Sequence, residues 1–169
     1  MEKRIHSFGP VWRSDAKLLI LGSMPSVESL NQFFYYAHPR NAFWPMMAGI
    51  LGEDVPLTVE DKKAMLLRHR IALWDTVASC ERQGSLDSNI RGAQPNNFEE
   101  LYKNCPGIRY VFFNGGTAER LYKRLVAKTD ERFIFRRMPS TSPAYTLKYE
   151  QKFAAWERAV KEALNDESC

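Results

Sequence analysis

Short apolar stretches alternate along the chain with segments in which apolar residues recur at helical spacing. The clearest stretch covers residues 17–21, where four consecutive aliphatic side chains follow a lysine. Runs that are apolar throughout are typical of strands that are covered on both faces. Together with their flanking turn signals, these patterns predict four strands, at residues 17–21, 71–73, 109–113 and 132–138.

Helical patterns lie between and after the predicted strands. Helices are predicted to start near residues 43, 58, 96 or 97, 116 and 146. Strands that alternate with helices indicate an α/β fold, here a three-layer α/β/α arrangement around a mostly parallel four-stranded central sheet. We expect a single domain over residues 1–169, with residues 1–16 packed on it as an N-terminal extension. The polar residues 80–94 are interpreted as a surface loop.

Polar loops follow all four predicted strands and therefore meet at one edge of a parallel sheet. The loop of residues 22–41 spans roughly 20 residues, whereas connections in compact domains usually span about 4 to 6. Shorter polar segments begin at Asp75, Asn114 and Pro139. Open α/β sheets bind ligands at the carboxyl ends of their strands, so a site is predicted at this edge.

Composition narrows the class of protein. The chain has a net charge of +4 and 12% aromatic residues, which suits a nucleic-acid partner without requiring one. Its three widely spaced cysteines predict neither a disulfide framework nor an iron–sulfur cluster held by four thiolates. No apolar run approaches the ~18 residues of a membrane span. We therefore expect a soluble, intracellular and cytoplasmic monomer without metal or cofactor.

A motif in the first loop is the most specific signal in the chain. Gly22 and Pro25 follow the first strand, and the end of the loop reads Tyr36-Ala37-His38-Pro39, then Asn41, then Phe43-Trp44. This segment closely resembles the uracil-DNA glycosylase superfamily in its mismatch-specific and hypoxanthine-type branches.

Two later segments extend this resemblance. Phe113-Asn114-Gly115 and the loop that begins at Pro139-Ser140 fall where the family has its base-reading and DNA-wedge motifs. The resemblance covers residues 17–160 in order. It implies a uracil-DNA glycosylase-like fold, a DNA glycosylase activity and DNA as the partner.

The residue at position 24 departs from one branch of the family. The mismatch-specific uracil enzymes have an asparagine there that positions the attacking water, and Met24 has no group to do so. The sequence therefore most resembles the hypoxanthine-DNA glycosylase branch, in which the asparagine of the His-Pro-x-Asn stretch takes that role. On this resemblance Asn41 is the catalytic candidate, with Asp75 as the alternative water activator. The structural alternative for Asn41 is a turn or cap before the helix at residue 43.

The chemistry of the bond is consistent with a neutral catalytic group. When hypoxanthine or uracil departs, its ring carbonyls delocalise the negative charge. An amide that holds water, together with amide or backbone N–H groups that meet the base oxygens, can therefore suffice without a strong general base.

Two further groups of residues are predicted to contact DNA. Tyr36 is expected to stack on an extruded base, and the alternative for this residue is simple packing. Asn114 is expected to read the hydrogen-bonding edge of the base, and its alternative is a turn residue. For His38 the alternative is a loop-stiffening role, for Phe43 it is packing in the core, and for the arginines it is a solvated strand edge. The predicted base-binding residues are Gly22, Ser23, Tyr36, His38, Phe43 and Asn114. The predicted DNA-binding residues are Arg136, Arg137, Ser140, Thr141, Ser142, Pro143, Ala144 and Tyr145.

These observations predict a monofunctional DNA glycosylase that flips out a deaminated base and hydrolyses its N-glycosidic bond, with hypoxanthine favoured over uracil. Monofunctional chemistry is expected because the strand-mouth loops contain no obvious lysine for a Schiff base. Three alternatives stay open: a uracil or thymine mismatch DNA glycosylase, a catalytically silent nucleic-acid binding domain, and a hydrolase of free nucleosides.

Overall fold

A computed structural model describes residues 3–126 and 130–167 of the chain, so Cys169 lies outside the described residues. The strands are β1 (Arg4–His6), β2 (Leu18–Gly22), β3 (Ile71–Asp75), β4 (Val77–Glu81), β5 (Arg91–Pro95), β6 (Tyr110–Asn114) and β7 (Ile134–Met138). The α-helices are α1 (Val27–Gln32), α2 (Phe43–Leu51), α3 (Val59–Arg68), α4 (Phe98–Asn104), α5 (Gly116–Leu125) and α6 (Tyr149–Asn165). Within the described part, no helix is long and apolar enough to cross a membrane.

Strands β2, β3, β6 and β7 form the central sheet, in the order β3-β2-β6-β7, and all neighbours are parallel. The two inner strands and β3 are almost wholly buried, which explains their continuous apolar sequences. Strand β7 is an edge strand and is partly exposed, which explains its two arginines. The predicted α/β fold with a four-stranded parallel sheet is confirmed.

The helices pack on this sheet in two groups. Phe43 of α2 contacts Trp156 of α6, with ring centroids 6.4 Å apart. The hydroxyls of Tyr102 in α4 and Tyr122 in α5 are 2.7 Å apart, and the ring of Tyr122 contacts Phe113 of β6. Sheet and helices thus share one continuous hydrophobic core.

A second, antiparallel sheet joins β1, β4 and β5 in the order β1-β4-β5. The predicted surface loop over residues 80–94 is therefore wrong at both of its ends, where β4 and β5 lie. These strands are short and polar, and Ser79 of β4 is paired with the Arg4 guanidinium, 75 positions away, by a 3.0 Å hydrogen bond. Periodicity cannot reveal such a partner, because the pattern of a short polar strand resembles that of a loop.

The N-terminal residues lie against the central sheet beside β3. Val11 and Leu73 exchange two backbone hydrogen bonds of 2.9 Å. The indole N–H of Trp74 donates to the Phe8 carbonyl (3.0 Å), and the Tyr35 hydroxyl donates to the Gly9 carbonyl (2.8 Å). The segment therefore closes one edge of the sheet next to the long first loop.

The long loop after β2 contains the short helix α1, which the sequence analysis did not predict. The Ser26 hydroxyl caps this helix by accepting from the Ser29 amide (3.1 Å). The Ser29 hydroxyl in turn accepts from the amide of Ala37 (3.0 Å), which folds the loop back on itself. This fold brings the Tyr36 segment to the end of β2.

Candidate active site

A cavity of about 340 Å³ opens at the carboxyl edge of the central sheet. Its walls come from the loop after β2, from the ends of β3 and β6, from the loop after β7, and from the tip of the hairpin that joins β4 to β5. The parallel register makes this convergence possible, because Gly22 pairs with Asp75 and Asn114 with Met138 at one edge.

Asn41 lines this cavity just before α2. Its side-chain oxygen accepts a hydrogen bond from the Phe43 amide (3.0 Å), so the turn role that was the alternative for this residue is present. A carbonyl oxygen has two lone pairs and the amide nitrogen two hydrogens. The backbone contact therefore leaves the side chain with hydrogen-bonding capacity toward the cavity.

Asp75 lies at the end of β3 on the cavity wall, and its side chain is buried. Its Oδ2 atom has no hydrogen-bond partner among the described residues. Burial raises the pKa of Asp75 to about 8; the negative charge of Asp87 adds to this rise and the Arg82 guanidinium opposes it. At neutral pH the carboxyl group is therefore mainly protonated.

Arg82 and Asp87 complete the charged surroundings of Asp75. The Arg82 guanidinium is buried and donates to the backbone carbonyls of Pro25 and Gly84, and burial lowers its pKa. Asp87 lies on the exposed rim of the cavity, where surrounding protein atoms raise its pKa and the Ser23 hydroxyl, which donates to it at 2.9 Å, opposes that rise. The sequence analysis anticipated neither residue, because both lie in the segment that was interpreted as a loop.

Tyr36 packs between the helix α2 and the end of β2. Its backbone has a φ of 53°, and its ring stacks at a tilt on Phe43 with centroids 4.3 Å apart. The hydroxyl is buried and makes no hydrogen bond of regular geometry within the described part of the chain. Burial raises the pKa of Tyr36, and the nearby Asn114 amide opposes the rise. The phenol is therefore a neutral group at the cavity wall.

Asn114 connects the end of β6 to the loop after β7. Its side-chain oxygen accepts from the Thr141 amide and its side-chain nitrogen donates to the Thr141 hydroxyl, both at 2.9 Å. The Lys152 ammonium of α6 donates to the Ser142 carbonyl (3.1 Å), and the Trp156 indole to the Pro139 carbonyl (2.8 Å). These bonds hold the loop in one position over the cavity.

Sequence comparison identifies the family to which this architecture belongs. The family described as Uracil DNA glycosylase superfamily matches residues 10–166. The chain belongs to the uracil DNA glycosylase superfamily. The resemblance seen in the loop motif and the predicted enzyme class, a DNA glycosylase, are thereby confirmed.

Individual relatives of this glycosylase are known in two archaea. A hypoxanthine DNA glycosylase of Methanosarcina barkeri (strain Fusaro) is 36% identical over 109 residues, which cover 64% of this chain and 69% of that protein. A hypoxanthine DNA glycosylase of Methanosarcina acetivorans is 34% identical over 155 residues, covering 91% and 96%. A solution NMR structure of a candidate uracil DNA glycosylase from Methanosarcina acetivorans superposes with a TM-score of 0.83 at 31% identity, covering 97% of this chain and all of that one.

Most of the predicted site residues of this glycosylase meet at the cavity. Besides Asn41 and Asp75, the lining includes Gly22, Ser23, Tyr36, Asn114, Ser140, Thr141, Ser142, Ala144 and Tyr145. Pro143 lies in the same loop, outside the lining. Among the described residues no group of three or more His, Cys, Asp or Glu side chains could hold a metal ion.

Three predicted contacts of the glycosylase lie elsewhere. His38 is not among the lining residues, and its Nδ1 accepts from the Arg40 amide (3.1 Å), which stiffens the loop. Phe43 is wholly buried behind Tyr36 and is not among the lining residues. Arg136 forms two 2.7 Å hydrogen bonds with Glu162 and does not line the cavity.

Arg137 points to the other face of β7 from Arg136, as the alternation of a strand requires. It lines an adjoining cavity of about 480 Å³ together with Arg120 and the first residues of α5. The two cavities share Asp87, Asn114, Ser140 and Tyr145 and therefore adjoin each other.

Proposed function

We propose that this protein is a monofunctional DNA glycosylase that receives an extruded hypoxanthine in the 340 Å³ cavity and hydrolyses its N-glycosidic bond. The observation that carries the proposal is the meeting of Asn41, Asp75 and Tyr36 around one cavity at the carboxyl edge of the sheet. Its volume falls within the range of about 300 to 1,000 Å³ that is usual for small-molecule sites. The names of the two archaeal relatives favour hypoxanthine as the substrate.

The protonation state of the site supports Asn41, rather than Asp75, as the group that holds water. A general base must be ionised, and burial keeps Asp75 protonated at neutral pH. Hypoxanthine leaves as an anion, and a protonated Asp75 stabilises that anion better than an ionised Asp75 would. A protonated carboxyl group offers one donor and one acceptor, which matches the N1–H and O6 groups of hypoxanthine. We therefore assign Asp75 to the base and Asn41 to the water.

Monofunctional hydrolysis is supported by the positions of the lysines. A Schiff-base mechanism needs a lysine that reaches the sugar. Among the described residues that line the cavity there is no lysine. Lys152 of α6 is buried under the loop after β7, where its ammonium donates to the Ser142 carbonyl.

The decisive experiment compares wild-type protein with Asn41→Ala on a labelled duplex that contains one deoxyinosine, under single-turnover conditions and followed by alkali cleavage. We expect a loss of about 100-fold or more, the scale on which removing one transition-state hydrogen bond acts. Asn97→Ala is the matched control, because the Asn97 side chain caps α4 by accepting from the Glu100 amide (3.2 Å) and lies outside the cavity. An Asn41→Ala rate equal to that of the control would refute the assignment.

Uracil is the second candidate substrate. The matching family and the protein of the solved structure are both named after uracil. The same duplex with deoxyuridine, and a G·T mismatch, measure this preference directly. Cleavage of uracil alone would indicate a uracil DNA glycosylase in place of a hypoxanthine enzyme. Turnover of free deoxyinosine would favour a nucleoside hydrolase. Duplex binding without cleavage would favour a catalytically silent binding domain.

A further inference from the structure

The tip of the hairpin between β4 and β5 lines the cavity and carries a large exposed apolar side chain, that of Leu86. Residues 83–89 are exposed and, apart from Leu86, are polar or glycine. The side chain of Leu86 is among the large exposed apolar groups, with 60% of the residue accessible to solvent. Leu86 belongs to neither hydrophobic cluster of the described residues, so burial in the core does not account for an apolar side chain at this position.

Hydrogen bonds anchor this tip to the elements that form the rest of the cavity. The Ser23 hydroxyl donates to the Asp87 carboxylate (2.9 Å), and the Val27 amide donates to the Ser85 hydroxyl (2.8 Å). The Arg82 guanidinium donates both to the Gly84 carbonyl within the tip (2.7 Å) and to the Pro25 carbonyl in the loop after β2. These hydrogen bonds hold the backbone of the tip in place, so the exposed Leu86 side chain has a fixed attachment point.

The loop after β7 also lines the cavity and carries a second large exposed side chain, Tyr145. Tyr145 is 47% exposed and lines both cavities. Leu86 and Tyr145 are thus two exposed side chains that line the cavity proposed to receive an extruded base. Arg120 and Arg137 line the adjoining cavity.

The charge next to Leu86 indicates which part of DNA it meets. Asp87 follows it directly and lines both cavities. A carboxylate repels phosphates, so this tip does not suit the DNA backbone. An apolar side chain on such a tip suits the faces of stacked bases, as the apolar wedges of other DNA-binding proteins do.

We propose that Leu86 is a wedge that enters the base stack of duplex DNA beside the extruded nucleotide, from the hairpin tip that lines the cavity. The proposal rests on the proposed function, because it takes the cavity as the site of the flipped base. It adds a second DNA-contacting element, from the antiparallel sheet, to the loop after β7. An apolar wedge offsets the lost stacking of the flipped base and so favours the open duplex.

The test compares Leu86→Ala with Leu57→Ala on deoxyinosine in a duplex and in a single strand. Leu57 is a matched control, since it is 86% exposed but lies in the loop between α2 and α3, away from the cavity. We expect Leu86→Ala to lower single-turnover cleavage of the duplex about tenfold, and that of the single strand much less, because only the duplex has a stack to open. Leu57→Ala should match wild-type protein on both.

A second readout keeps the test independent of cleavage. In a duplex with 2-aminopurine opposite the target base, wedge insertion changes the stacking and hence the fluorescence on binding. We expect Leu86→Ala to reduce this change and Leu57→Ala to retain it. Equal behaviour of the two variants in both assays would overturn the wedge, and so would an equal loss on duplex and single strand. Wild-type protein that cleaves nothing yet shows the fluorescence change would overturn the proposed function and leave the wedge standing.

Discussion

Oδ1 of Asp75 lies 2.5 Å from the point where a Cβ atom on Gly22 would stand. The two residues are register partners at the carboxyl ends of β2 and β3. The hydroxyl oxygen of Tyr36 lies 2.9 Å from the same point. Real Cβ atoms do not approach other atoms so closely, so the absence of a side chain at position 22 is what admits both groups to the cavity wall.

Gly22→Ala should therefore damage the site and the fold together. The added methyl group must displace the Asp75 carboxyl or the Tyr36 ring, and overpacking of this kind usually costs about 1 to 3 kcal/mol of stability. We expect a lower denaturation midpoint and a strong loss of single-turnover cleavage. Gly9→Ala is the control, because a Cβ there meets nothing within 4 Å. Wild-type activity in Gly22→Ala would show that the exact position of Asp75 and Tyr36 is unimportant.

Adjacent arginines on β7 should differ in their effect on DNA binding. Arg137 lines the cavity beside α5, where its guanidinium lies over Gly116, whereas Arg136 is paired with Glu162. We expect Arg137→Ala to weaken duplex binding and to reduce the slope of log affinity against log salt by about one. Arg136→Ala should leave that slope unchanged. Binding titrations at several salt concentrations measure it, and equal slopes for the two variants would contradict the assignment.

The fold was predictable where burial alone determines the pattern. Strands β2, β3 and β6 are covered on both faces, so their apolar runs located them within about two residues. Strands β1, β4 and β5 were missed because they mix apolar and polar residues, and because β1 pairs with a strand more than 70 residues away in sequence. The helix α1 was missed because six residues with one turn of apolar spacing give little periodic signal.

The candidate site was predictable to the level of loops and less so to the level of side chains. The motif directed attention to Asn41, and the parallel topology brings it together with Asp75 and Asn114. The alternation of a strand could have separated Arg136 from Arg137. No local sequence pattern predicts that Lys152 supports the loop after β7, because this contact depends on how helix α6 packs against the loop.

The pH dependence of Asp75 separates its two candidate roles. Its pKa is raised from 3.8 to about 8 by burial, with Asp87 adding to the rise and Arg82 opposing it. The neutral phenols of Tyr35 and Tyr36 are the other titratable groups whose pKa values respond to its charge. Between about pH 4 and pH 8 the folded protein therefore keeps a proton that the unfolded chain has already released.

This proton has a stability consequence with a definite sign. The protonated Asp75 stabilises the folded protein by its full amount at pH values below the ordinary pKa of an aspartate. As pH rises from there toward 8, this contribution to the free energy of unfolding is lost by about 1.4 kcal/mol per pH unit. Asp75→Asn carries no such proton. We expect the free energy of unfolding of Asp75→Asn, relative to that of wild-type protein, to increase from pH 5 to pH 8, as measured by denaturant titration. A constant difference between the two proteins would place the pKa outside this window.

Activity over the same range identifies the chemical role. If the protonated carboxyl group holds the base, wild-type single-turnover cleavage falls above pH 8, because a carboxylate then faces the departing anion. Asp75→Asn, which keeps a neutral donor and acceptor, should stay active and lose this alkaline decline. A general base behaves in the opposite way, since the rate rises as it ionises and the amide variant is inactive. Because the two roles predict opposite slopes, one pH profile of each protein decides whether Asp75 binds the base or activates the water.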